Sequence, residues 1–222
     1  MIEIPALDIF TDDPESLTGT VQLLLLLTVL SLAPSILILT TCFTRIVVVL
    51  SFVRTGLATQ SMPPNQVIVG LALFITFFVM TPVFSEINEQ ALQPMFAGEI
   101  TQEEAFESAA LPMKQFMAKH TREKDLALFM GYAGLPRPET LDDIPLTALV
   151  PAFAISELKT AFQIGFMIFV PFLVIDMVVA SVLMSMGMMM LPPVMIALPF
   201  KILLFVMVDG WHLVVRSLLL SF

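Results

Sequence analysis

Apolar residues fall along this chain in blocks long enough to cross a bilayer, parted by short polar breaks and one long one. A spanning helix needs roughly 20 apolar residues. Residues 21–43 meet that length, and the apolar character runs on past Arg45 to Val53. Further blocks occupy 67–84, 161–184 and 191–208, with 211–220 as an apolar tail. The pattern predicts an all-α, integral membrane-type protein of kinked apolar helical hairpins with a helical polar insert. It divides the chain into an acidic polar N-terminal segment (1–20), a first apolar hairpin (21–84), the polar insert (85–150) and a second apolar hairpin (151–222). No β-alternation is long enough to predict a sheet.

The insert reads as helix. Thr101 and Glu104 have capping-box spacing, and Met113, Phe116, Met117 and His120 fall on one helical face. Residues 131–145 read as a loop, broken by Gly134, Pro136, Pro138 and Pro145. The first 20 residues hold Glu3, Asp8, Asp12, Asp13 and Glu15 and no Lys or Arg. That is the reverse of a secretory signal. Either a signal was removed, or the first apolar block serves as the anchor. Arg45 and Arg54 lie close to the membrane after that block, which favours the N-terminus outside and the 54–65 turn inside. The insert, with 11 acids against 5 bases, then lies outside and votes weakly. The turn around residue 188 falls inside by this count.

Composition sharpens the class. The 222 residues are 58% hydrophobic and only 13% charged, with a mean hydropathy of +0.95. A soluble domain carries about 25% charged residues. The chain is therefore a membrane protein, or its apolar faces are covered by other subunits. A net charge of −9 argues against nucleic acid as a partner. The single Cys42 excludes an intrachain disulfide. His120 and His212 are too isolated to suggest a metal or catalytic site.

Two features depart from a plain bundle of spans. Pro34, Pro82, Pro171 and Pro199 sit within or at the ends of the apolar blocks, and an interior proline kinks a helix. Charges also intrude: Arg45, Asp176, Lys201 and Asp209. Each costs roughly 2.5–3.5 kcal/mol at a membrane-helix centre on insertion scales, so none is expected to face lipid. Asp176 and Lys201 lie nearly equidistant from Met188. In an antiparallel hairpin they reach similar depth. They pair, within the hairpin or between neighbouring subunits, or each snorkels or finds a partner separately. Glu157 and Lys159 stand at the lip of the third block with i, i+2 spacing, on different helix faces.

Residues 184–193 read Met-Ser-Met-Gly-Met-Met-Met-Leu-Pro-Pro, with five methionines in seven positions. Methionine is unbranched and polarizable, so a cluster of it can repack around different shapes. It can equally fill an irregular core. Gly187 and Pro192-Pro193 speak against continuous helix and favour an adaptable loop between two membrane-depth helices.

The chain lacks a phosphate-binding loop, a zinc His-Glu-x-x-His and a Gly-x-Ser-x-Gly elbow, so no enzyme is predicted and no cofactor. Broken helices with buried Asp176 and Asp209 would also suit an ion-coupled secondary transporter, but no inverted repeat supports one.

Several stretches together resemble the FliP family: residues 151–166 (Pro-Ala-Phe-Ala-Ile-Ser-Glu-Leu-Lys-Thr-Ala-Phe-Gln-Ile-Gly-Phe), 171–193 (Pro-Phe-Leu-Val-Ile-Asp through Met-Gly-Met-Met-Met-Leu-Pro-Pro) and 198–211 (Leu-Pro-Phe-Lys through Val-Asp-Gly-Trp). Thr44-Arg45-Ile-Val-Val-Val-Leu-Ser and Pro64-Asn65-Gln66-Val continue the likeness, which covers nearly all of the chain beyond residue 20. The resemblance implies a pore-forming core subunit of the flagellar type III protein export gate, packed in a helical oligomer in the bacterial inner membrane, much of it toward the periplasmic side. It implies other FliP copies, FliR and FliQ as partners, FlhB and FlhA nearby, FliO as an assembly factor and exported flagellar proteins as substrates. It assigns a channel gasket to Met184, Met186, Met188, Met189 and Met190. Arg45, Arg54, Glu157, Lys159, Asp176, Lys201 and Asp209 become buried charges for assembly or gating. The family also warns that blocks resembling four spans pack on subunits rather than on lipid. Flagellar members often begin with a cleaved signal, and virulence-injectisome relatives often lack one. The 157–166 wording and the long insert resemble the flagellar branch, with an injectisome homologue as the alternative.

Overall fold

A computed structural model of the chain describes residues 14–59, 62–138, 140–141, 143–188 and 190–222, and among these there is helix and no strand. Residues up to Ile38 form one unit and Leu39–Phe222 the other. The first unit is most of helix α1 (Pro14–Thr40), which carries Pro34 in its interior. Its described leucines, among them Leu23, Leu26 and Leu30, are exposed. Apolar exposure on this scale calls for lipid or protein cover. The acidic segment predicted over 1–20 lies largely outside the described residues.

The second unit starts with α2 (Phe43–Gly56). Its Ile-Val-Val-Val run would favour a strand by propensity alone. Helix wins because Cys42, Ile46, Val49, Leu50 and Val53 recur at helical spacing and are fully buried. They form the core with Ile68, Ala72 and Ile75 of α3 (Asn65–Ile87), Ala161 and Phe172 of α7 (Leu146–Ser185), Phe205 of α8 (Pro193–Met207) and Leu218 of α9 (Gly210–Leu219). α2 packs on α7 more extensively than any other helix pair. Two glycines make that closeness possible. A Cβ on Gly165 would stand 2.5 Å from the Phe52 ring, and one on Gly56 2.7 Å from the Phe172 ring.

α3 continues through a π-helical turn (Asn88–Leu92) into α4 (Gln93–Ala97). Pro94 lacks the N–H that would bond the Gln90 carbonyl, and the turn before it is the widened one. Gly98, at φ 76°, ends α4, a left-handed position that glycine takes without strain.

The predicted insert is helical. α5 (Gln102–His120) opens with the expected capping box: Glu104 N–H donates to Thr101 Oγ1 at 3.3 Å, and Thr101 N–H donates to Glu104 Oε2 at 2.8 Å. The Thr101 N–H holds the Glu104 carboxyl below its usual range. Of the predicted apolar face, Met117 is buried with Ile144, Leu149 and Phe153 in a second cluster, against which Phe116 packs. α6 (Glu123–Tyr132) is docked on α7 through a short polar chain. Arg122 N–H donates to Ser156 Oγ at 3.1 Å, and Ser156 Oγ donates to Asp125 Oδ2 at 2.7 Å. That hydroxyl holds the Asp125 carboxyl below its usual range, with Arg122 adding to the effect.

Two differences from the sequence reading matter. α7 begins at Leu146, so the third apolar block is only the far part of a 40-residue helix. At 1.5 Å per residue it is about 60 Å long, twice a hydrocarbon core of roughly 30 Å. Its first turns pack on α5 and α6 instead. The fourth block ends where the sequence placed its end, but the apolar tail beyond it is a helix of its own, α9, set at 63° to α8. Among the described residues, two helical stretches, Asn65–Ala97 and Leu146–Ser185, are each long and apolar enough to cross a membrane, and up to four qualify if each bent pair counts as one span.

Candidate functional site

Three groups of the predicted residues stand in distinct settings: an exposed methionine turn, a charged pair halfway along its hairpin, and a buried charge cluster further up.

The methionine turn joins α7 to α8. Gly187 adopts φ 74° with open space around it. The Met188 N–H reaches back to the Leu183 carbonyl at 3.0 Å and the Gly187 N–H to the Met184 carbonyl at 3.1 Å. This is the left-handed glycine exit that closes many helices. Pro192 and Pro193 then start α8, where a missing N–H costs nothing. Met184 and Ser185 belong to the last turn of α7, so the loop proper begins at Met186. Met184, Met186 and Met190 are 66%, 62% and 98% exposed, and Met188 is 44% exposed. Core filling is therefore not their role within this chain. Met189 lies outside the described residues.

Asp176 of α7 and Lys201 of α8 form the ion pair within the hairpin. Lys201 Nζ donates to Asp176 Oδ2 at 2.6 Å. The Lys201 side chain is 2% exposed and that of Asp176 25%. Asp176 Oδ1 is buried without a hydrogen-bond partner among the described residues. A buried acceptor left unmet costs about 1–3 kcal/mol.

Arg45 and Glu157 make the third group, a pairing that the sequence reading missed. Arg45 Nε donates to Glu157 Oε2 at 2.9 Å and Nη2 donates to Oε1. The two side chains are 3% and 0% exposed. Arg45 Nη1 donates to the Ser221 carbonyl at 2.7 Å and to Ser221 Oγ at 3.0 Å. The guanidinium carbon lies 4.0 Å from the centre of the Phe222 ring. Lys119 Nζ donates to the Phe222 carbonyl at 3.2 Å, and His120 meets the Phe222 ring edge-on at 5.5 Å. Burial, with Arg45 and Lys119 close by, pushes His120 down to about 4. One cation thus joins α2, α7 and the residues after α9. Nothing in sequence spacing signals a contact across 112 or 176 positions.

The other predicted charges differ. Arg54 is half-buried and donates from Nη1 to Asn65 Oδ1 at 2.7 Å, tying the end of α2 to the start of α3. Lys159 and Asp209 were expected to be buried, and the fold of the chain leaves both exposed. Lys159 points away from the α2 face because it sits two residues beyond Glu157 on the helix. Asp209 occupies the α8–α9 bend at φ 50° and caps no N–H of α9 with its side chain.

Comparison with known proteins gives these positions a context. The family model described as FliP family matches residues 26–218. The chain is 74% identical over 212 residues to the flagellar biosynthetic protein FliP of Bacillus subtilis (strain 168), covering 96% of each chain. It is 53% identical over 208 residues to the protein of that name from Pectobacterium carotovorum subsp. carotovorum, covering 94% of this chain and 81% of that one. For Aquifex aeolicus (strain VF5) the figures are 51% over 209 residues, 93% and 87%.

Proposed function

The chain belongs to the FliP family, a component of the flagellar export apparatus, and from that premise we propose that it is a pore-forming subunit of the export gate whose methionine turn is one share of a seal. The observation that carries this reading is the open display of Met184, Met186, Met188 and Met190 on a turn that the described residues leave exposed. Fully burying one methionine is worth about 1.5–3 kcal/mol. Several such turns brought to a common axis would gain that burial from one another. Flexible thioether side chains would close the lumen, yield to an unfolded substrate and close again. No chemistry at the turn is required, and the driving force comes from other components.

The buried charges serve assembly in this reading. Lys201 and Asp176 hold α8 against α7 so that the turn is presented rigidly. Asp176 Oδ1 is left for a donor from an adjoining subunit. Exposed Lys159 and Asp209 are available to neighbours in the same way. Those neighbours are other copies of the chain, FliR and FliQ, with FlhB and FlhA adjacent and FliO assisting assembly. The setting is the bacterial inner membrane, with the α5–α6 insert on the periplasmic side. The family is flagellar, so the injectisome alternative gives way to it.

Replacing Met188, Met189 and Met190 with Ala tests the seal. The complex is expected to assemble at wild-type yield and to leak small ions in cells or liposomes. A triple variant as ion-tight as wild type, with normal export, would sink the proposal.

A further inference from the structure

We infer that copies of this chain join head to tail through the insert: Phe106 of one copy sits in the cavity beside α6 of the next, with its flanking glutamates against Lys124 and Arg137. This inference stands on the insert alone and does not depend on the gate reading.

The knob is at the start of α5. Glu103, Phe106 and Glu107 are three and four residues apart, so they share one face of the helix. All three are exposed, Phe106 to 75%. Neither glutamate makes an ion pair among the described residues. No Lys or Arg lies between Arg54 and Lys114, so this end of the insert is acidic. An uncovered ring between two charges has the make-up of an interface anchor with its polar rim.

The hole is beside α6. A cavity of about 650 Å³ lies between α6 and the chain that follows it, with Leu126, Ala127, Met130 and Leu135 in its wall. Lys124, Arg137 and Glu123 stand at its edge. Arg137 meets Glu123 only at 3.8 Å, and both side chains are almost fully exposed. Such a pair holds Arg137 weakly. Lys124 stands within hydrogen-bond reach of the Lys159 ammonium, and Arg122 is close to Lys159. The nearby Asp125 carboxylate is already engaged by Arg122 and Ser156. Crowded like charges gain from an added carboxylate. Apolar wall and basic edge thus match the Phe106 ring and its two glutamates.

One chain cannot bring its own halves together. From Phe106 to the end of α5 at His120 the helix rises about 21 Å, and α6 begins only after that end. Both halves are present on every copy, so a second copy supplies what the first lacks. The two patches differ, which makes the contact heterologous: it closes a ring or continues as a helix.

Disulfide capture tests the contact. Two full-length copies with different tags are co-expressed, one carrying Phe106→Cys and the other Leu135→Cys, and their membranes are oxidised. The native Cys42 is buried. A disulfide joining the two tags is expected. Glu103→Lys with Glu107→Lys in the first copy should lower its yield roughly tenfold, the effect of two exposed pairs turned from attraction to repulsion. Adding Lys124→Glu with Arg137→Glu to the second copy should restore it. Absence of the joined product would mean that something other than a second copy covers the cavity, and overturns the proposal. A yield indifferent to the glutamate reversal overturns it, as does a loss that the second pair of changes fails to restore. An equally strong disulfide between two Phe106→Cys copies would show a two-fold contact and overturn it as well. Ion leak through the seal is read separately, so either proposal can fail alone.

Discussion

Breaking the Arg45–Glu157 pair from either side should destabilise the protein, and removing both charges should restore most of the loss. Glu157→Gln keeps the shape but leaves Arg45 buried as a cation, with an amide N–H₂ turned toward its own N–H donors. Arginine cannot shed its proton at any working pH. A buried pair broken on one side costs about 3–5 kcal/mol. Arg45→Met strands Glu157 instead and also strips a donor from the Ser221 carbonyl. Glu157 can escape by taking a proton, which at pH 7 bounds the charge penalty at about 3.5 kcal/mol from an ordinary carboxylate. Glu157→Gln should therefore be at least as damaging as Arg45→Met. For a chain of this size each kcal/mol moves Tm by about 2–4 °C, so a fall of roughly 6–20 °C is expected for the single variants. Arg45→Met with Glu157→Leu replaces the pair by apolar volume and should lie close to the wild type. Thermal unfolding in detergent, followed by Trp211 emission, reads all four proteins. A shift below 2 °C in both single variants, or a double variant worse than either, would refute the reasoning.

Other expectations follow from the same geometry. The swap Asp176→Lys with Lys201→Asp should recover complex formation lost in each single variant, as measured by co-purification; a double variant no better than the singles would remove the pair from assembly. Gly165→Val should push α2 off α7 at the Phe52 ring, at an overpacking cost of about 1–3 kcal/mol, visible as a lowered Tm. His120 is held down to about 4, against an unfolded value near 6.5. Unfolded chains therefore bind the extra proton between these values, and stability present above about 6.5 is lost as pH falls toward 4. Hydrogen-exchange protection at residues 217–222, corrected for the intrinsic pH dependence of exchange, should fall on acidification through that window, and His120→Phe should abolish the fall.

Helix content, the capping box at Thr101, the prolines in the helices and the glycine-broken methionine turn were all legible in the sequence. Each depends on residues within a few positions of one another. The Asp176–Lys201 pair was legible for the same reason, because a hairpin about Met188 places both at one depth. Arg45 read as a charge at the membrane, but its partner did not, since only the packing of α2 on α7 through Gly165 brings Glu157 within reach. The C-terminal Ser221 and Phe222 gave no signal at all. They matter because the α8–α9 bend returns the chain to Arg45.

By itself, then, the sequence determined what each stretch is: apolar helix, polar helical insert, breaker or soft turn. Periodicity, proline and glycine act locally, and in an apolar surrounding the backbone must satisfy its own hydrogen bonds. Only the tertiary structure decided which faces are closed. It buried Glu157 and left Lys159 exposed two residues later. It opened a cavity beside α6 and left Phe106 exposed at the far end of α5. It left Met184, Met186, Met188 and Met190 exposed at one end of their hairpin. Burial depends on what lies opposite a face, and that is a property of the packed helices rather than of any one of them.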